Sequence, residues 1–156
     1  MVPSSVTKGW QQLPEKLKMQ ICRQCAQQQP LIFDRWCHAA GLKSFRRDSV
    51  LKRKAGAAAR LDSALFQAEA GHLAADVLVG YFTGIAPQIN NKYLEILERS
   101  DNEDNATKLN IYAQLAVIYQ DSPVIELYLA TALWIEEFEE SDIETVKKIA
   151  AELETA

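Results

Sequence analysis

Glycine and proline are scarce in this chain, with six and five among its 156 residues. The shortage excludes architectures built from many short strands, because the tight turns that join such strands rely on both residue types. Three cysteines cannot all pair in disulfides, and a chain of this length buries enough apolar surface to fold without them. We therefore expect reduced cysteines and a cytoplasmic protein.

Targeting signals and long hydrophobic runs are lacking as well. Residues 1–9 contain one charged side chain and no apolar run, so we expect no signal peptide there but a segment that is disordered or partly of cloning origin. The longest apolar stretches, 73–86 and 124–135, are too short to span a bilayer and contain Asp76 and Glu126. We expect no membrane partner.

Apolar residues recur with helical spacing along nearly the whole chain. Leu13, Leu17 and Ile21, for example, follow each other at intervals of four residues. The pattern predicts an all-α fold, a compact bundle of six to seven helices in a single domain over residues 1–156.

Two of the predicted helices, at about 106–119 and 122–138, are apolar on almost every side. Helices of this kind are buried, so we expect these two to form the centre of the core. Another helical pattern, between residues 49 and 82, is long for a globular protein. Gly56 lies inside it and favours a kink or a break nearby.

Charge is distributed unevenly between the two parts of the chain. Residues 1–60 contain twelve Lys or Arg and three acids, a net charge of +9, whereas residues 61–156 contain five bases and eighteen acids, a net charge of −13. This asymmetry indicates an anionic partner for one part, or contact between the two parts within or between chains.

The positive charge is densest in residues 43–60, the basic segment, which has seven bases and one acid. Clustered bases near an aromatic side chain such as Phe45 suit phosphate contacts or stacking on nucleic-acid bases. The candidate residues for binding a partner or a polyanion are Lys43, Arg46, Arg47, Lys52, Arg53, Lys54 and Arg60.

The C-terminal region offers the opposite charge. Residues 136–154 contain eight acids and two lysines, a net charge of −6 that matches the +6 of the basic segment. The candidate acidic docking residues are Glu136, Glu137, Glu139, Glu140 and Asp142. Ser141 and Glu144 also have the spacing of a capping box at the start of the last helix.

Three cysteines and a histidine suggest a metal site. A hairpin of the first two helices would bring Cys22 and Cys25 opposite Cys37 and His38, and zinc takes such ligands tetrahedrally. Two features oppose the site. Cys22 and Cys25 lie in a sequence that favours a helix, and the adjacent Cys37 and His38 cannot easily face one ion. The alternative is that the cysteines are small core residues.

Glu69, His72 and Asp76 have spacings that place them along one side of a helix. Their Glu-x-x-His pattern is half of a di-iron motif, but the chain has no second copy. A histidine between two carboxylates can act as a general base. His72 also continues an apolar stripe, which favours a role in the core or at an interface.

These patterns favour a non-catalytic protein-interaction module without a cofactor, whose partner is another protein or a second copy of itself. The first alternative is a nucleic-acid-binding protein that uses the basic segment. The second is a metal-binding protein that uses Cys22, Cys25, Cys37 and His38. An enzyme is the least favoured class, because the sequence contains no phosphate-binding glycine loop and no nucleophile motif.

Overall fold

The computed structural model describes residues 2–42, 55–67 and 71–155, and over these ranges the backbone forms nine α-helices, a short π-helical segment and no strand. The α-helices are α1 Ser4–Gln11, α2 Glu15–Gln28, α3 Pro30–Ala39, α4 Ala55–Leu65, α5 Gly71–Gly80, α6 Gln88–Glu98, α7 Asn105–Ile118, α8 Ile125–Ile135 and α9 Ser141–Thr155. The π-helical segment is Tyr81–Ile85. The predicted all-α class is confirmed, but six to seven helices was too low a count.

α1 lies in the part of the chain that we expected to be disordered. Val6 and Trp10 lie one turn apart on its buried face, and Gly9 brings its backbone close to Leu127 of α8. A Cβ atom at Gly9 would lie 3.0 Å from the Cα atom of Leu127. The first helix is thus packed onto the core, in contrast to the expectation for residues 1–9.

The kink or break expected near Gly56 falls at the border of the described residues, which resume at Ala55. Gly56 lies within α4, and the described chain leaves the helix at Phe66. The ring of Phe66 packs edge-on against Trp10 at a centroid distance of 6.1 Å, which anchors the turn on α1. Residues 43–54 lie outside the described residues.

The buried side chains form one continuous cluster, with α8 at its centre. Seven of the eleven residues of α8 are buried, including Thr131. α7 buries Ile111, Tyr112 and Leu115 on one face, whereas Ile118 at its end is about half exposed. Both helices predicted for the core are found in it, α8 more completely than α7.

The arrangement around α8 creates two cavities on opposite faces of this helix. α1 crosses one face, and α9 packs along both α7 and α8. α6, α7 and the π-helical segment cover the other face. In the described part of the chain, no helix is both long enough and apolar enough to cross a membrane.

Candidate functional site

An open groove of about 470 Å³ lies between α1, α8 and α9. Leu129 and Leu133 of α8 form one side of its apolar floor, and Val146 and Ala150 of α9 form the other. Each pair is four residues apart, so both members lie on one helix face. The helical spacing of these two elements therefore gives the groove a continuous apolar base.

Charged side chains stand along the rim of this groove. They are Glu126, Glu140, Glu144, Glu154, Lys8 and Lys147. Four carboxylates and two ammonium groups give the rim a net charge of −2. The side chains of Glu126, Glu144 and Glu154 are exposed and form no ion pair with any residue that the structure describes. We call this feature the acidic groove.

Glu140 joins the C-terminal region to the beginning of the chain. The Ser4 hydroxyl donates to its carboxylate at 3.1 Å, and the Ser5 backbone N–H donates to the same oxygen at 3.3 Å. The hydrogen bonds from Ser5 and Ser4 lower the pKa of Glu140 below its ordinary value. The carboxylate thus binds the N-terminal end of α1, where the helix dipole favours negative charge.

Two of the other predicted docking acids also have partners within the fold. Glu136 forms an ion pair with Lys108 at 3.3 Å, and this contact raises the pKa of Lys108. The carboxylate of Asp142 accepts the N–H of Glu139 at 2.9 Å, the kind of contact that the predicted capping box would form between Glu144 and Ser141. Glu137 and the side chain of Glu139 are exposed, with no ion pair to a described residue.

Glu137 occupies an unusual backbone conformation where α8 ends. Its φ is 63°, and in the described chain it is the one non-glycine residue with a positive φ. The N–H of Phe138 donates to the carbonyl of Leu133 at 2.9 Å, and the N–H of Glu137 donates to that of Trp134 at 3.1 Å, a Schellman motif. α3 ends in the same way, but with Gly41 at the positive φ.

The basic segment can be compared with the structure at one candidate residue only. Arg60 lies on α4 and is exposed. The other six candidates lie outside the described residues: Lys43, Arg46, Arg47, Lys52, Arg53 and Lys54.

The predicted metal site at the cysteines is not formed. Cys22, Cys25 and Cys37 are buried, whereas His38 is exposed, because consecutive residues of α3 point about 100° apart. Burial raises the pKa of Cys25 to about 12 and that of Cys22 further, which disfavours the thiolate that binds metal. Within the described ranges, no three His, Cys, Asp or Glu side chains could share a metal ion.

Of the residues considered for general-base catalysis, the structure describes two, His72 and Asp76. Glu69 lies outside the described residues, and His72 is exposed rather than part of the core. Asp76 instead forms an ion pair with Arg35 at 2.8 Å, which links α5 to α3.

The chain matches no model of a known protein family, no curated protein and no solved structure. Its function must therefore be inferred from its own residues. Sequence reasoning missed several residues of the groove, notably Ser4, Lys8 and Glu126. The only feature of the sequence that indicated a packed helix around Ser4 and Lys8 was the apolar spacing of Val6 and Trp10. Glu126 was overlooked because it lies in an otherwise apolar helix.

Proposed function

We propose that the protein is a non-catalytic helical interaction module whose acidic groove binds a basic segment of a partner protein. The observation that carries this proposal is the set of three exposed carboxylates without ion pairs, Glu126, Glu144 and Glu154, above an apolar floor. A basic amphipathic segment complements such a surface, because its apolar side chains would cover the floor while Lys and Arg face the glutamates.

The chain itself contains a segment of this chemistry. The basic segment, residues 43–60, has a net charge of +6 and includes Phe45, Val50 and Leu51 as apolar side chains. A second copy of the chain can therefore act as the partner, through a contact that joins different surfaces of the two copies. Sedimentation should then show association at low salt that disappears at high salt, because screening weakens contacts between exposed charges.

Fluorescence anisotropy with a labelled peptide tests the proposal. The peptide has the sequence of residues 43–60 and is titrated with the full chain at low and high salt. We expect saturable binding that weakens as salt is added, since electrostatic complementarity contributes to both the rate and the specificity of association.

Two matched triple variants locate the binding surface. Glu126→Gln, Glu144→Gln and Glu154→Gln together should weaken peptide binding by roughly tenfold or more, because each removed charge would face Lys or Arg of the bound peptide. The control combines Glu98→Gln, Asp101→Asn and Glu103→Gln, which removes the same charge from exposed positions outside the groove. An equal effect of both variants, or no binding by the native chain, would refute the proposal.

Nucleic-acid binding through the basic segment is the second candidate function, and its support is the seven bases and the neighbouring Phe45 in the sequence. Oligonucleotide binding across a salt series tests it, because the slope counts the phosphates contacted. Steep salt dependence that the groove variant leaves unchanged would favour this candidate over the first.

A further inference from the structure

A second cavity, of about 160 Å³, lies on the face of α8 opposite the acidic groove. Aromatic rings form much of its wall: Tyr93 and Tyr112 stack with their centroids 4.7 Å apart, and Phe82 meets Tyr128 edge-on at 5.2 Å. We call this cavity the tyrosine pocket. Its surroundings differ from those of the groove, because no basic side chain lines it in the part of the chain that the structure describes.

Two hydroxyl groups in the wall of the tyrosine pocket have no hydrogen-bond partner among the described residues. They belong to Tyr93 and Thr131, which are 4% and 3% exposed. The Tyr112 side chain lies near enough to lower the pKa of Tyr93, but the effect of burial is larger and raises it. Tyr128 differs from them, because its hydroxyl donates to the side-chain oxygen of Asn90 at 3.2 Å. Buried hydroxyls without partners are uncommon in folded proteins, so this pair requires an explanation.

The pocket suits an uncharged ligand. Burial raises the pKa of Tyr93, Tyr112 and Tyr128, so all three hydroxyls stay protonated at neutral pH. The one ionisable carboxylate in the wall is that of Glu136, which is paired with Lys108. An anion would therefore find no free positive charge within the described wall, and a cation would compete with Lys108.

We propose that the tyrosine pocket binds a small neutral aromatic compound with a hydroxyl group, such as a phenol. A cavity of about 150 Å³ accommodates one benzene ring, so the size of the pocket selects a single ring. The aromatic walls would pack against that ring edge-on or stacked. The ligand hydroxyl would supply the missing hydrogen bond to Thr131 or Tyr93. This site is separate from the acidic groove and does not depend on the proposed function.

Fluorine NMR with two matched probes tests this inference on the full chain. 4-Fluorophenol and 4-fluorotoluene have similar shapes and differ by a hydroxyl in place of a methyl group. We expect 4-fluorophenol to bind saturably and about tenfold more tightly, because a site with unpaired polar groups discriminates against the apolar analogue.

Two Thr→Val variants separate hydrogen bonding from packing. Thr131→Val should reduce the preference for the phenol to about threefold or less, since it removes a hydroxyl without changing the shape of the side chain. Thr83→Val is the control: Thr83 also lines the pocket, but its hydroxyl already donates to the carbonyl of Val79 at 2.7 Å. Tyr93→Phe serves the same purpose as Thr131→Val if that variant does not fold.

The inference is overturned if neither probe binds, or if 4-fluorotoluene binds the native chain as tightly as 4-fluorophenol. If neither probe binds, the double variant Leu94→Ser with Ile135→Ser shows what the pocket does instead, through any change in the sedimentation of the chain. These two side chains flank the pocket and are 50% and 44% exposed, so that result would identify an apolar contact between proteins.

Discussion

The hydroxyl of Thr131 is buried in α8 without a hydrogen-bond partner among the residues described. Valine has the same shape, so Thr131→Val removes the unpaired group without leaving a cavity. We expect the free energy of unfolding to rise by about 1 kcal/mol in chemical denaturation. Thr83→Val, at an exposed position, should change it by no more than about 0.5 kcal/mol. A clear loss of stability in Thr131→Val would show that the hydroxyl is hydrogen-bonded.

The backbone conformation of Glu137 also lowers the free energy of unfolding, because its φ of 63° suits glycine better than a residue with a side chain. Glu137→Gly should therefore raise the free energy of unfolding by about 1 kcal/mol. Glu139→Gly removes the same charge two residues later, where φ is not positive. This control should not raise the free energy of unfolding. Thermal and urea unfolding of the two variants measure this difference, and equal effects would contradict the explanation.

The cysteines show what spacing can predict, because the sequence allowed either a metal site or small core residues. Cys22, Cys25 and Cys37 are all buried, as the second possibility requires, and they lie close enough for charge on one thiol to affect the others. Spacing alone did not predict the orientation of the His38 side chain, which is exposed to solvent. A ligand set depends on which way each side chain points, and this is fixed by packing of the whole helix.

The contact between α1 and α8 depends on the absence of a side chain at Gly9. A Cβ atom there would lie 3.0 Å from the Leu127 Cα atom, which is backbone and cannot move aside easily. Gly9→Ala should lower the free energy of unfolding by about 1 kcal/mol, since crowding outweighs the better helix propensity of alanine. Gly84→Ala has nothing within 4 Å of the new atom and should be neutral or stabilising. A higher free energy of unfolding for Gly9→Ala would mean that α1 packs less closely against α8 than the distance at Gly9 indicates.

Lys18 links three helices through a partly buried ion pair. Its ammonium group lies 3.8 Å from Asp62, which also accepts a hydrogen bond from the indole of Trp10 at 3.3 Å. Burial raises the pKa of Asp62, while Lys18 and Trp10 oppose that rise. Lys18→Met should lower the free energy of unfolding at neutral pH by about 1 kcal/mol, a modest loss because Asp62 is partly exposed.

The loss in Lys18→Met should depend on pH in a defined direction. Without the ammonium group, the folded state binds the Asp62 proton more tightly than the unfolded state, whose pKa is near 3.8. The destabilisation is then present above the folded pKa and shrinks as pH falls through it. Urea unfolding at neutral pH and near pH 3.5 measures this change. Adding Asp62→Asn should remove the pH dependence, and a loss independent of pH would point to packing alone.

Most helices could be predicted because their apolar residues recur over several turns, as in α2 and α8. α1 has eight residues and only Val6 and Trp10 mark its buried face, so it was missed. The turn at Phe66 was not predicted, because a distant contact with Trp10 holds it. Local patterns predict helices well and predict tertiary contacts poorly.

At the scale of the whole molecule, the acidic groove combines residues from both ends of the chain. Glu140 and Ser5 are 135 positions apart and meet through a hydrogen bond. The sequence predicted the acidic C-terminal region from composition, but it could not show that α1 would close the groove beside it. The net charge of a segment can be read from the sequence of that segment alone, whereas a binding surface depends on the packing of distant elements.

Chemical-shift mapping by NMR would show whether a basic segment binds in the acidic groove. The unlabelled 43–60 peptide is added to isotope-labelled full chain at low salt. We expect saturable shifts of backbone amides that border the groove, such as those of Gly9, Leu129 and Val146, with little change around the tyrosine pocket. Shifts confined to other surfaces, or none at all, would contradict this expectation.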